Sequence, residues 1–291
     1  MKQKKRTKKK KLEWPKWVAL ISGFVIAVAV MVGVILVQAQ PADYIVETNA
    51  FFAPFEFYEG REIKGVDVEI INRVAKHMGK KIKIVDVEFD VIIDNVEAGK
   101  IADAGAAGLT ITPARAEKVN FSIPYYNSVQ YVIYSKTAEP ESRNGHILWN
   151  ALAGKTLGSQ TGGTGYLFVS DEIDTGVLKD TGAVTKGFDS YQLAADAISS
   201  HLVDYAIADE LAAKFIVAKN DNLAAMPLYY AGETPAEDYA TEEAYAIAVN
   251  KERGELLEAF NVVLAEMLTE DAEGKTEIDR LILQYMGFSD E

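Results

Sequence analysis

The chain has 291 residues, 30 basic and 43 acidic side chains, a net charge of −13 and no cysteine. Hydrophobic residues at 49 % and aromatics at 10 % exclude a mainly disordered chain, and the length suits about two domains. The absent cysteines exclude a disulfide framework, a thiolate metal site, a cysteine nucleophile and a lipidated cysteine anchor. The three histidines, His77, His146 and His201, lack a helical ligand spacing, which argues against a zinc enzyme.

The charge is unevenly spread. Residues 1–16 carry nine basic side chains against Glu13, a net +8, and the remainder holds 21 basic and 42 acidic residues. From Trp17 to Ala42 no residue is charged, and about 20 apolar residues of helix cross a bilayer. The sequence therefore predicts a cytoplasmic basic arm (1–16), a membrane anchor or signal peptide (17–39) and an acidic body outside the cytoplasm. The arm is a topology signal, so no nucleic-acid partner is expected. Val37-Gln38-Ala39 offers small residues where a signal peptidase needs them, yet the apolar run exceeds the usual 7–15 residues of a signal-peptide core. A retained anchor over 17–37 is the reading adopted, with secretion after cleavage near Ala39 as the alternative.

Strands and helices alternate after Asp43, which favours an α/β fold with largely parallel sheets. Asp43–Thr48 reads as a strand and Val66–Met78 as a helix with Val66, Ile70, Ile71, Val74 and Met78 on one face, stopped by Gly79. A strand at Ile82–Val85, a helix at Asp90–Ala98 closed by Gly99, and a small-residue strand at Ala102–Ala107 follow. Thr112-Pro113 reads as N-cap and first helical position, and Val129–Tyr134 as a strand. A second series has a strand at Thr156–Ser159, a glycine-rich turn at Gly162–Gly165, and helices at Tyr166–Asp171, Asp189–Ser200 and Glu210–Val217. A strand at Asp204–Ala208 lies between the last two. Tyr245–Val249 closes as a strand before helices near Glu252–Leu268 and Glu277–Tyr285. The loosest stretches, Thr137–Gly145 and Glu233–Glu243, are about 100 residues apart, as two crossings into and out of an inserted lobe would be.

Several nucleotide and hydrolase signatures fail. Gly154-Lys155-Thr156 resembles the end of a phosphate-binding loop, but Trp149 stands where its first glycine belongs. Gly162-Gly163-Thr164-Gly165 does not fit the dinucleotide spacing, and no G-x-S-x-G elbow is present. Three segments stand out: Thr48-Asn49-Ala50-Phe51-Phe52-Ala53-Pro54-Phe55-Glu56 with Gly65-Val66-Asp67-Val68-Glu69; Ala107-Gly108-Leu109-Thr110-Ile111-Thr112-Pro113-Ala114-Arg115 with Phe121-Ser122-Ile123-Pro124-Tyr125-Tyr126; and Gln160-Thr161-Gly162-Gly163-Thr164-Gly165 with Ala208-Asp209-Glu210.

In these segments, and at Phe89-Asp90, Lys100–Asp103 and Ala244–Asn250, the chain resembles the polar amino-acid binding proteins of ABC importers, which have the type 2 periplasmic-binding-protein (Venus-flytrap) fold. The resemblance covers nearly all of 43–291. It implies two α/β lobes, 43–134 plus 235–291 and the inserted 135–234, closing on a ligand between them, in a monomer without cofactor that serves an ABC permease. It assigns Arg115 to the ligand carboxylate, where a planar guanidinium suits two parallel hydrogen bonds. Thr110 and the backbone N–H of Thr164 add donors. Asp209 pairs with the ammonium, helped by the Gly108 carbonyl. Phe52 and Phe89 sandwich the ligand's side chain, Asn49 faces its far end, and Gln160 lines the opposite lobe.

Read without the resemblance, Arg115 is an exposed first-turn arginine, Asp209 a helix N-cap, and Phe52 and Phe89 core residues. Lysine- and arginine-binding relatives often carry an acid where Asn49 stands, which leaves glutamine-like and other polar ligands open. Gly163 replaces a hydroxyl residue common there. Two alternatives share the scaffold: a dehydratase-like enzyme, for which no further acid stands out, and a ligand-sensing domain, which would need a signalling module beyond Glu291.

Overall fold

The structure, a computed structural model, describes residues 41–287. The basic arm and the apolar run 17–39, with its expected anchor or signal role, lie outside the described residues. Among the described residues no helix is long and apolar enough to cross a membrane.

The first half of the chain runs through β1 (Tyr44–Thr48), a three-stranded meander of β2 (Phe51–Phe52), β3 (Glu56–Glu59) and β4 (Glu62–Lys64), and α1 (Val66–Met78). It continues with β5 (Ile82–Asp86), a 3₁₀ turn (Phe89–Val91) leading into α2 (Ile92–Ala98), β6 (Ala104–Gly105), α3 (Pro113–Lys118) and β7 (Asn120–Phe121). Helix α1 forms where its periodicity predicts: Val66, Ile70, Ile71 and Val74 are buried, and Gly79 ends it at φ 62°. The long strand β8 (Tyr126–Ser135) then leads to β9 (Ile147–Leu148), a 3₁₀ turn (Trp149–Leu152), β10 (Thr156–Gln160), α4 (Thr164–Asp174) and β11 (Val184–Phe188). The rest is α5 (Tyr191–Ser199), β12 (Tyr205–Asp209), α6 (Glu210–Ala218), β13 (Leu223–Tyr230), β14 (Tyr239–Ala240), β15 (Glu242–Tyr245), β16 (Ala248–Val249), α7 (Gly254–Met267) and α8 (Glu277–Met286).

Two sheets organise these elements into two lobes. The first has the order β5-β1-β6-β16-β7, and the second has β11-β10-β12-β8-β13-β14 as its main path. The β5-β1-β6 and β11-β10-β12 ladders are parallel, as helical crossovers require. Helix α1 packs on α7 and α8, and Ile70, Ile71, Phe260 and Leu264 fill that core. Trp149, Leu152, Leu157, Ile207 and Leu228 fill the core of the second lobe.

Strand β8 joins the two. Its first four residues pair with β15, from Tyr126 opposite Tyr245 to Val129 opposite Glu242. From Gln130, which lies opposite Asp209, it pairs with β12, and from Tyr131 also with β13. The two loose stretches are tied together where Arg143 and His146 both bond Asp238, the latter at 2.8 Å. The Arg143 guanidinium holds the Asp238 carboxyl well below the usual carboxylate range.

Several elements differ from the sequence reading. The expected strand over 102–107 makes ladder bonds only at Ala104–Gly105, and the expected 245–249 strand is two short ones, β15 and β16. Strands β11 and β13 were not foreseen. Val184–Phe188 is a mostly exposed edge strand carrying Lys186 and Gly187, and Leu223–Tyr230 contains Pro227 and two alanines, weak strand formers.

Candidate ligand-binding cleft

The first lobe presents its side of the cleft from the ends of β1 and β6. Asn49, just after β1, donates from Nδ2 to the Val87 carbonyl at 2.8 Å. Gly108 sits at φ 55° against the Phe52 ring; a Cβ there would come 2.2 Å from Phe52 Cε1, so only glycine allows this approach. Phe52 stacks on Phe55, with ring centroids 5.3 Å apart. Thr112 caps α3 by accepting the Arg115 backbone N–H at 3.2 Å, with Pro113 at the first helical position. That cap aims Arg115 inward, and the residue is only 8 % exposed. Nη1 donates to the Thr110 carbonyl and Nη2 to the Gly162 carbonyl, each at 2.9 Å. The guanidinium lies 5.6 Å from the Phe89 ring centroid, and its three other N–H groups are available to a ligand.

The second lobe contributes the ends of β10 and β12. Gln160 donates across the cleft to Asn49 Oδ1 at 2.9 Å. In the following turn Gly162, at φ 75°, packs on Asp90 so closely that a Cβ would come 2.8 Å from the Asp90 Cβ. Thr164 opens α4, and its hydroxyl lies 3.4 Å from that of Thr110. Asp209 stands at the N-cap of α6 but makes no capping bond. Its buried carboxylate instead accepts from Tyr191 at 3.1 Å, from Tyr245 and from Gln130. The nine residues singled out from the sequence thus lie on the facing ends of the two lobes, where Asn49 meets Gln160, Thr110 meets Thr164, and Phe89 and Arg115 line a cavity of about 280 Å³.

Four further residues belong to the cleft: Gln130, Tyr191, Glu243 and Tyr245. Glu243, 6 % exposed, accepts from the Thr110 hydroxyl at 2.7 Å, from the Thr164 hydroxyl and from Gln130 Nε2. In the sequence it is the last acid of a loose acidic stretch. The available signal was strand alternation, which puts Glu243 and Tyr245 on one face of β15. Burial, then the Asp209 charge, pushes the Glu243 carboxyl well up, while burial raises Asp209 against the pull of its hydrogen bonds. Burial lowers the pKa of Arg115, opposed by Tyr191, Glu243 and Asp209. Among the described residues no cluster of His, Asp or Glu is placed to hold a metal ion.

Behind Gly108 lies a second acidic pair. Asp67 accepts the Gly108 N–H at 3.1 Å and the Tyr125 O–H at 2.6 Å, which anchors the Gly108 loop to α1. Burial pushes Asp67 up to about 6 despite those bonds. Burial, then the neighbouring Asp67, drives Glu56 well up. The folded chain therefore keeps a proton on Asp67 that the unfolded chain releases near pH 4. That stabilisation is full below about pH 4 and is lost as pH rises through about 6, on the order of 3 kcal/mol. Asp238 acts in the opposite sense, but only below about pH 4. Urea midpoints are expected to fall between pH 4 and 6, and to fall less in Asp67→Asn; a flat wild-type profile contradicts this.

The two-lobed α/β fold, with Arg115 and Asp209 buried on opposite lobes, is the setting in which the comparisons show a solute-binding protein. Residues 44–287 match the bacterial extracellular solute-binding proteins, family 3, and the chain belongs to that family. The arginine-binding extracellular protein ArtP of Bacillus subtilis is 30 % identical over 223 residues, 77 % of this chain and 80 % of ArtP. Holo ArgBP from T. maritima is 32 % identical with a TM-score of 0.64, covering 83 % of this chain and 95 % of that one. The amino-acid ABC transporter substrate-binding protein AbpA from Streptococcus pneumoniae, bound to L-arginine, is 26 % identical with a TM-score of 0.69, covering 84 % and 94 %. These are transport binding proteins rather than enzymes.

Proposed function

We propose that this chain captures a free polar amino acid between its lobes outside the cytoplasm and delivers it to an ABC transporter permease. The observation that carries this reading is the buried pair Arg115 and Asp209, one from each lobe, in a single cleft. A zwitterion leaving water needs an opposite charge at each end. Arg115, with Thr110 and Thr164, suits the carboxylate, and Asp209 suits the ammonium with the Gly108 carbonyl. Phe52 and Phe89 flank the side chain, whose far end meets Asn49 and Gln160. Arginine is the first ligand to test, since the relatives are named for it. Asn49 and Gln160 offer amide groups in place of an acid, which suits glutamine-like ligands as well.

Contacts to both lobes favour the closed arrangement when ligand binds. The sequence divides the lobes at 134/135 and 234/235; the switch of β8 from β15 to β12 supports moving these divisions to Val129-Gln130 and Thr241-Glu242. From the sequence alone, the apolar run 17–37 serves as the membrane anchor of a monomer. A thermal-shift screen against the twenty amino acids tests the reading. L-arginine or another polar amino acid should raise the melting temperature, with about 2.7 kcal/mol of stabilisation at 100 times the dissociation constant, and apolar amino acids should not. No shift with any of the twenty overturns it.

A further inference from the structure

Glu243 lies where two functions collide. One of its carboxylate oxygens, Oε2, accepts hydrogen bonds from the hydroxyls of Thr110 and Thr164, one from each lobe. The other, Oε1, accepts from Gln130 Nε2. Thr110 is assigned above to the carboxylate of the ligand, as is Thr164 through its backbone N–H, and Arg115 is close enough for its charge to act on Glu243. A hydroxyl has one proton to donate. A ligand carboxylate and Glu243 therefore cannot both hold the Thr110 hydroxyl, and a ligand carboxylate at the Thr164 backbone N–H would crowd the Glu243 oxygen bonded to the Thr164 hydroxyl. There is room for the side chain to leave: Glu243 itself lines a space of about 520 Å³ together with Thr110, Asn127, Phe168 and Glu242.

We propose that Glu243 sets ligand affinity and selectivity as a resident carboxylate, holding the Thr110 and Thr164 hydroxyls until the carboxylate of an incoming amino acid displaces it. The inference rests on the amino-acid-binding reading and names the residue that tunes it. Its consequence concerns discrimination. In the wild-type protein part of the advantage of a ligand carboxylate is spent on displacing Glu243. An amine lacking that carboxylate leaves Glu243 in place and forgoes no such contact. The protein should thus distinguish an amino acid from its decarboxylated amine less sharply than its donors alone would allow.

The test compares L-arginine with agmatine, its decarboxylated amine, by calorimetry on wild type, Glu243→Ala and Glu243→Gln. If another amino acid gives the largest thermal shift, that amino acid and its amine replace the pair. Glu243→Ala is expected to bind L-arginine about tenfold more tightly and agmatine no more tightly than wild type, so that the ratio of the two dissociation constants widens about tenfold. Glu243→Gln, which keeps the packing and replaces one acceptor oxygen by an amide, should widen the ratio in the same direction by less; it stands in if the alanine variant does not fold. An unchanged ratio overturns the proposal. So does equal weakening of both ligands, which would make Glu243 a partner of the ligand's cationic groups. If wild type binds none of the twenty amino acids, it is the functional reading that has failed.

Discussion

Arg115→Ala is expected to lose at least about 100-fold in amino-acid affinity, more than any single substitution in the side-chain pocket. Two costs combine. The ligand carboxylate would enter a desolvated cleft already holding Asp209 and Glu243 without the Arg115 cation to meet it, and truncating one partner of a buried hydrogen-bonded charge pair costs about 2–5 kcal/mol. The variant also loses the bridge by which one guanidinium binds the Thr110 carbonyl of the first lobe and the Gly162 carbonyl of the second, so part of the drive to close disappears with it. Arg115→Lys separates these effects. It keeps the charge but cannot reach two carbonyls and a carboxylate with a planar fork, so its affinity should fall between those of wild type and the alanine variant. Calorimetry showing unchanged affinity in Arg115→Ala would remove Arg115 from the site.

Trp149→Ala should produce the largest loss of stability, about 3–5 kcal/mol from the cavity and lost burial. The indole is 1 % exposed at the centre of the second lobe's core. It packs on Tyr230, with ring centroids 5.8 Å apart, and donates from Nε1 to the Thr241 hydroxyl at 3.1 Å. The Thr241 backbone carbonyl in turn accepts the Gln130 N–H at 3.0 Å. Removing the ring therefore opens a void and unties the segment that leads into β15. Urea unfolding followed by circular dichroism measures the loss; a change below about 1 kcal/mol would show that the core collapses around the gap.

The recurring fold elements were legible because their signals are local. The face of α1, the Thr112-Pro113 start of α3 and the glycine stops after α1 and α2 are each written within a few consecutive residues. The nine cleft residues were legible only together, since Arg115 alone reads as an exposed helical arginine and Asp209 alone as a helix cap. In the structure Arg115 is buried by its cap and its carbonyl partners, while Asp209 turns away from its own helix. Gln130, Tyr191, Glu243 and Tyr245 escaped because they meet only through long-range pairing. Gln130 faces Asp209 across a strand register 79 residues apart in sequence, a distance no local pattern reports. Strands β11 and β13 escaped for a different reason: an exposed edge and a proline-bearing strand carry little alternation to read.

The unbroken strand β8 has a mechanical consequence. Because β8 pairs first with β15, which leads into β16 of the first sheet, and then with β12 and β13 of the second, turning one lobe against the other twists this strand near Val129-Gln130. Gln130 is also the residue whose amide clasps both cleft carboxylates. Gln130 thus joins Asp209 of its own sheet to Glu243 on the β15 side of the hinge, which couples the angle between the lobes to the electrostatics of the cleft.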